Sequence, residues 1–233
     1  MTKPTLLTGM VLTAAVATSG CGVNWDPGEE RRESQSVELD KAERVNVELS
    51  MGAGELRVAG GSAKLLEGDF QYYSLWKPEV RYRSTGSRGD LTIRAASSRR
   101  NAGAGEWSLR LNNQVPLEVT TNLGAGEAHL DFSSLNLRGV EVHMGVGELR
   151  LDLRGAPKQS YDVRIHGGVG EASVLLPKSV GIVATAKGGI GEISARGLEK
   201  RGGYWSNPGH ENDPVTIRVD ATGGIGEIRL VAE

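Results

Sequence analysis

The chain has 233 residues, 33 of them glycine, and a formal net charge of −2. Glycine stands at about twice its usual share, and the near-neutral balance lacks the basic field that nucleic-acid binding requires. Without an export segment about 200 residues remain, enough for one sizeable core.

The first predicted element is that export segment. Lys3 supplies the positive start, and Leu6 to Val16 is apolar or small. The run is too short to span a hydrocarbon core of ~30 Å. It ends in Ala17-Thr18-Ser19-Gly20-Cys21. Small residues before a cysteine resemble a bacterial lipobox, where cleavage precedes acylation of Cys21. Ala15-Val16-Ala17 offers a competing cleavage site that would release a soluble protein. Cys21 is the only cysteine, and a lone thiol would be out of place in an oxidising compartment. The reading is therefore a lipoprotein signal over residues 1–20, with acyl chains on Cys21 as the anchor. Gly22 in place of Asp favours the outer membrane. Residues 21–36 are polar and without periodicity and read as a flexible tether.

A repeat dominates the rest. Gly-Xaa-Gly-Glu occurs seven times, ending at Glu55, Glu106, Glu127, Glu148, Glu171, Glu192 and Glu227, in steps of 51, 21, 21, 23, 21 and 35 residues. A step of 21–23 matches one coil of a β-solenoid and is too short for a two-helix repeat. Positions are counted here from the second glycine as zero. Position +2 is apolar (Leu56, Trp107, Ala128, Leu149, Ala172, Ile193, Ile228), as is +4 (Val58, Leu109, Leu130, Leu151, Val174, Ala195, Leu230). Position +3 is polar, −5 mostly apolar, and −1 always Ala, Val or Ile. Period-2 alternation on both sides of the motif predicts strands. Odd positions, −1 included, should face inward before it and even ones after it. The phase change predicts a corner at the motif, which glycine permits through positive φ and close stacking.

The fold class is thus all-β, a single-chain β-solenoid with rungs of ~21 residues and Gly-Xaa-Gly-Glu corners. Seven to nine rungs ~4.8 Å apart make a rod of about 35–45 Å. Residues 37–115 form an irregular N-terminal portion, with Gly86 to Leu91 as a degenerate copy of the motif. Residues 116–233 form regular rungs interrupted by a loop at 197–214. No helix of useful length is evident.

MGAGELRVAGGSAKLLEGDF, PEVRYRSTGSRGDLTI and VPLEVTTNLGAGEAHLDFSSLNLRGVEVHMGVGELRLDL, with the later GGVGE and GGIGE copies, resemble the bacterial toastrack family of envelope-stress and adhesin-like proteins. The resemblance spans residues 37–233. It implies a β-helix-like stack, an extracytoplasmic position, and sensing or binding in place of catalysis.

Candidate sites follow from the stacking. Glu106, Glu127, Glu148, Glu171 and Glu192 should line up, and carboxylates ~5 Å apart repel by about 1 kcal/mol in water. Either each accepts backbone N–H bonds at its corner, or the column holds a cation such as Ca2+, which prefers carboxylate oxygens. Arg57, Arg150 and Arg229 at +3, and His143, His166 and Lys187 at −4, could pair with the column. His143 and His166 fall on adjacent rungs and offer a transition-metal pair, since imidazole is a common ligand; with no third ligand in view they read as surface. Tyr204 and Trp205, on the 197–214 loop, are either a ligand contact or a cover for the open end. No triad with a nucleophile elbow, zinc motif or helix-opening phosphate loop is present. The expectation is a non-enzymatic, lipid-anchored extracytoplasmic binding or envelope-sensing module without a cofactor. Its partners would be the membrane, an envelope protein or glycan, or a second copy end to end, and no nucleic acid. The alternatives are a structural or adhesin-like surface protein and, further off, a polysaccharide-active β-helix enzyme.

Overall fold

The computed structural model describes residues 28–95, 104–210 and 212–233. Cys21, the export segment and the start of the expected tether lie outside the described residues. Among the described residues fifteen strands join in one open sheet, and the helical element is a single 3-10 turn, Ser74–Trp76. No helix there is long and apolar enough to cross a membrane.

The framework is four long strands, β2 (Arg44–Ser62), β7 (Leu117–Asp131), β8 (Leu137–Asp152) and β9 (Tyr161–Leu176). Each bends at its Gly-Xaa-Gly-Glu corner. β7, β8 and β9 lie parallel, with equivalent positions in register: Val119↔Val140↔Val163 before the corner and Leu130↔Leu151↔Val174 after it. The alternating apolar residues therefore meet between the two limbs. Leu117, Val119, Leu123, Leu130 and Phe132 of one coil are all buried. The limbs need β-branched and leucine residues because each inward position has like neighbours above and below it.

Spatial order departs from chain order. β5 (Arg88–Ala95) and β6 (Ala104–Asn112) pair with the two limbs of β2 on the side away from β7. β14 (Thr216–Thr222) and β15 (Ile225–Ala232) lie between β9 and the later-stacked pair β10 (Gly181–Lys187) and β11 (Ile190–Arg196). The long steps of 51 and 35 residues are thus crossovers that insert a coil out of turn. One core cluster runs from Ala42 to Ala232, so residues 37–115 and 116–233 share a single interior.

Antiparallel strands cover both limbs at one end and one limb at the other. At the N-terminal end β3 (Leu66–Tyr73) pairs with β6, β1 (Glu30–Val37) with β3, and β4 (Pro78–Thr85) with β5. Trp107, in the outermost coil, fills the end against Phe70, edge to face at 5.5 Å. At the other end β13 (Tyr204–Ser206) pairs with β10 and β12 (Glu199–Arg201) with β13. β11 pairs with β15 alone among the described strands.

Two expectations need correction. Residues 30–36 of the expected tether are strand: β1 holds its place by pairing its backbone with β3, and its mostly exposed side chains explain the missing periodicity. The Gly86–Leu91 stretch is not a corner. Gly86, at φ 61°, sits in the tight turn between β4 and β5, and Gly89 faces the Tyr82 ring, where a Cβ would stand 2.6 Å from the hydroxyl oxygen.

Candidate functional site

The corners stack in register along one edge. At position 0, Gly54, Gly126, Gly147, Gly170, Gly191 and Gly226 all have φ between 125° and 142°. A Cβ on any of the last five would lie 1.7–1.9 Å from the carbonyl oxygen of the glycine in the neighbouring coil. An L side chain is strained there by its own backbone and blocked by its neighbour. At position −2, Gly124, Gly145, Gly168, Gly189 and Gly224 adopt ordinary φ, yet a Cβ would still meet a neighbouring carbonyl oxygen at 2.3–2.5 Å. Positive φ and close stacking are both expected from the sequence; that the first falls at position 0 and the second also governs position −2 is visible only once the coils are stacked.

The phase change comes earlier than alternation suggested. Position −3 is the last inward residue, and −1 points out to solvent. Val146, Val169, Ile190 and Ile225 are 53%, 47%, 72% and 52% exposed. The paired −2 and 0 glycines turn the backbone by themselves, so the residue between them stands at the apex. Register places Ala53, Ala125, Val146, Val169, Ile225 and Ile190 in a row. The result is an exposed aliphatic ridge that grows from Ala through Val to Ile.

Beside it run the carboxylates, in the order Glu106, Glu55, Glu127, Glu148, Glu171, Glu227, Glu192. Glu55 and Glu227 belong to the column, which chain order alone had not put there. Side chains at +3 relieve its repulsion, partly across coils. Arg57 pairs with Glu55. The His129 imidazole lies 3.4 Å from Glu127 and 3.6 Å from Glu55. Arg229 donates to Glu227 at 2.8 Å and to Glu171, in the neighbouring coil, at 2.7 Å. These two acids, Glu227 first, make its guanidinium still harder to deprotonate. The −4 residues lie on the other limb, so His143 pairs not with the column but with Glu141, at 2.9 Å.

Beneath the last three corners lies a cavity of about 70 Å3. At position −3 Met51, Leu123 and Met144 fill the earlier corners and are buried, whereas Gly167, Gly223 and Gly188 leave the later ones empty. Met144, Leu149, Ile165, Ala221 and Ile228 are among its apolar walls.

The two loop aromatics part company. Tyr204 is exposed, while Trp205 packs against the core and carries the Lys200 ammonium 5.1 Å from its ring centroid. Their hairpin covers β10 by strand pairing. Outside the edge, displaced acidities mark structural pairs. Lys77 and then Tyr72 hydrogen bonds hold the Glu33 carboxyl below its usual range. Burial works to raise Asp152, but hydrogen bonding by Arg154 prevails and lowers it.

A profile of the family described as the N-terminal domain of toast_rack, DUF2154, matches residues 26–175. Among solved structures, a "putative cell adhesion protein" from Clostridium sporogenes ATCC 15579 is similar at 34% identity and a TM-score of 0.83, over 88% of this chain and 100% of that one. A "putative adhesin" from Bacteroides fragilis NCTC 9343 aligns over 86% of this chain and 96% of its own, at 7% identity and a TM-score of 0.30, too distant to support an argument. No curated protein matches.

Proposed function

This chain belongs to the toast-rack family, and on that premise we propose that it is a non-enzymatic, lipid-anchored extracytoplasmic binding module of the adhesin type. The stacked coils are read as a β-solenoid, a rigid rod that presents one edge repeatedly to a partner. The observation that carries the reading is the aliphatic ridge. Folding gains little from the exposed faces of these four valines and isoleucines, and an ordered apolar row beside charged residues is the kind of surface that marks an interaction site. A row repeated in register suits multivalent contact, in which weak unit affinities combine. The name of the Clostridium protein, similar over its whole length, points the same way. The Tyr204 side of the end hairpin is a second, smaller contact in this reading. The lipid rests on Thr18-Ser19-Gly20-Cys21 and would hold the rod at the membrane surface.

The test is adhesion of liposomes bearing the native lipoprotein to envelope preparations of its host. Replacing Val146, Val169, Ile190 and Ile225 together by threonine should abolish adhesion while leaving thermal stability within a few degrees, because exposed substitutions typically change stability by less than ~0.5 kcal/mol each. Undiminished adhesion by a folded quadruple variant would remove the ridge from the function. Intact mass of the native protein and a Cys21→Ser form checks the anchor: an acylated Cys21 start supports it, and an unlipidated start at Thr18 refutes it.

A further inference from the structure

We propose that Glu141, His143 and His166 form a surface site for a divalent transition metal, with Zn2+ the natural first ion to try. The inference is independent of the adhesin reading. Residues two apart on a strand share a face, so β8 presents Glu141 and His143 together. The β8–β9 register then sets His166 directly beside His143. The two rings lie face to face, 5.1 Å between centroids and 15° from parallel. His143 Nε2 is 2.9 Å from Glu141 Oε1, and one ligand atom from each of the three side chains lies within 4.8 Å of the other two. Ligand atoms ~2.0–2.1 Å from a tetrahedral zinc stand about 3.3 Å apart, so no pair has to close by more than about 1.5 Å. Rotation of a half-exposed imidazole about χ2 covers that distance without moving the strands.

Two further features favour a cation here. Arg164, directly across from Glu141, pairs with Asp162 at 3.8 Å, and Glu141 is turned toward the imidazole. The donors are also the right kind. Two imidazole nitrogens and a carboxylate suit zinc, copper or nickel, whereas Ca2+ seeks oxygen ligands. The Glu55, Glu127 and His129 group is a poorer candidate, since Arg57 already occupies Glu55. The site is open to solvent, so water or a donor from a partner would complete the coordination.

The experiment is calorimetric titration of Zn2+ into the full chain bearing Cys21→Ser, which removes the competing thiol, without a polyhistidine tag. One equivalent should bind at pH 7.5. His143→Ala and His166→Ala should each weaken binding roughly tenfold or more, the scale seen even for outer-shell partners, and Glu141→Gln should weaken it less. A His129→Ala/His210→Ala double variant should bind as the parent does. Acidification to pH 5.5 should release the metal, because protons compete for the imidazole nitrogens. Melting curves without zinc confirm that each variant is folded. Unchanged binding in folded His143→Ala and His166→Ala, loss confined to the His129/His210 variant, or no saturable binding up to about 1 mM would each overturn the proposal.

Discussion

The corners of the N-terminal half and those of the C-terminal half carry one motif but place their bulk on opposite sides of the backbone. In the first half Met51, Leu123 and Met144 fill the inside of the bend and alanines stand outside it. In the second half glycines leave the inside hollow while Val169, Ile225 and Ile190 project into solvent. Val146 marks the crossing point, since its coil has both Met144 within and a valine without. The backbone path is kept by the glycines at −2 and 0, so positions −3 and −1 are free to vary in opposite directions. A tightly packed end and a looser, stickier end arise from two positions per coil.

The largest effect should come from what the halves share. Gly147→Ala places a Cβ 1.9 Å from the Gly126 carbonyl oxygen at φ 134°. Backbone strain of about 1–3 kcal/mol adds to a clash that only separation of the coils can relieve. A loss of about 3 kcal/mol or more is expected in urea denaturation, or failure to fold. A loss below 1 kcal/mol would mean that the corners do not stack as described.

How much of this was legible in the sequence follows from which interactions are local. The limbs and their inward faces were readable because period-2 alternation is set within one strand: Leu130 and Leu151 had to share a face. The corner glycines were readable through their fixed spacing. The outward turn of Val146 was not, because alternation extrapolated through the bend assigns −1 to the interior and takes no account of the flanking glycines. Spatial order was also hidden. Nothing local distinguishes β15, which slips between β9 and β11, from a coil added in turn, so the bridge from Arg229 to Glu171 could not be foreseen. Glu141 shares a face with His143 by its i, i+2 spacing, which by itself marks nothing. A third ligand acquires meaning only when the register has brought His166 alongside.

A second, smaller effect should separate the halves. Met144→Ala removes the side chain that closes the cavity toward the first half and should cost about 2–5 kcal/mol, the range for buried large-to-small changes. Val169→Ala, at an exposed apex, should change stability by less than ~0.5 kcal/mol. Equal losses at the two sites, by denaturant midpoint, would show that the apex residues are buried in solution and would erase the contrast between inside and outside.

The smallest effect has the opposite sign and tests whether the hollow corners are free space. Gly167 stands where Met144 stands one coil earlier. Its φ is outside the left-handed region, and the nearest atom to an added Cβ would be the Thr222 carbonyl oxygen at 3.9 Å. Gly167→Ala should therefore be accepted without strain. Restricting the unfolded chain contributes about 0.4–1 kcal/mol at a compatible site, and the methyl group enters the apolar cavity without meeting a wall atom closer than van der Waals contact. A gain of about 0.5–1 kcal/mol is expected. Gly168→Ala, one residue on, puts its Cβ 2.3 Å from the Gly145 carbonyl oxygen and should destabilise, so the pair of variants reads the inside of the bend against its stacked backbone. If Gly167→Ala destabilises as Gly168→Ala does, the later corners are closed by the backbone itself. The glycines at −3 would then be structural requirements, and the two halves would not differ by exchange of bulk across the bend.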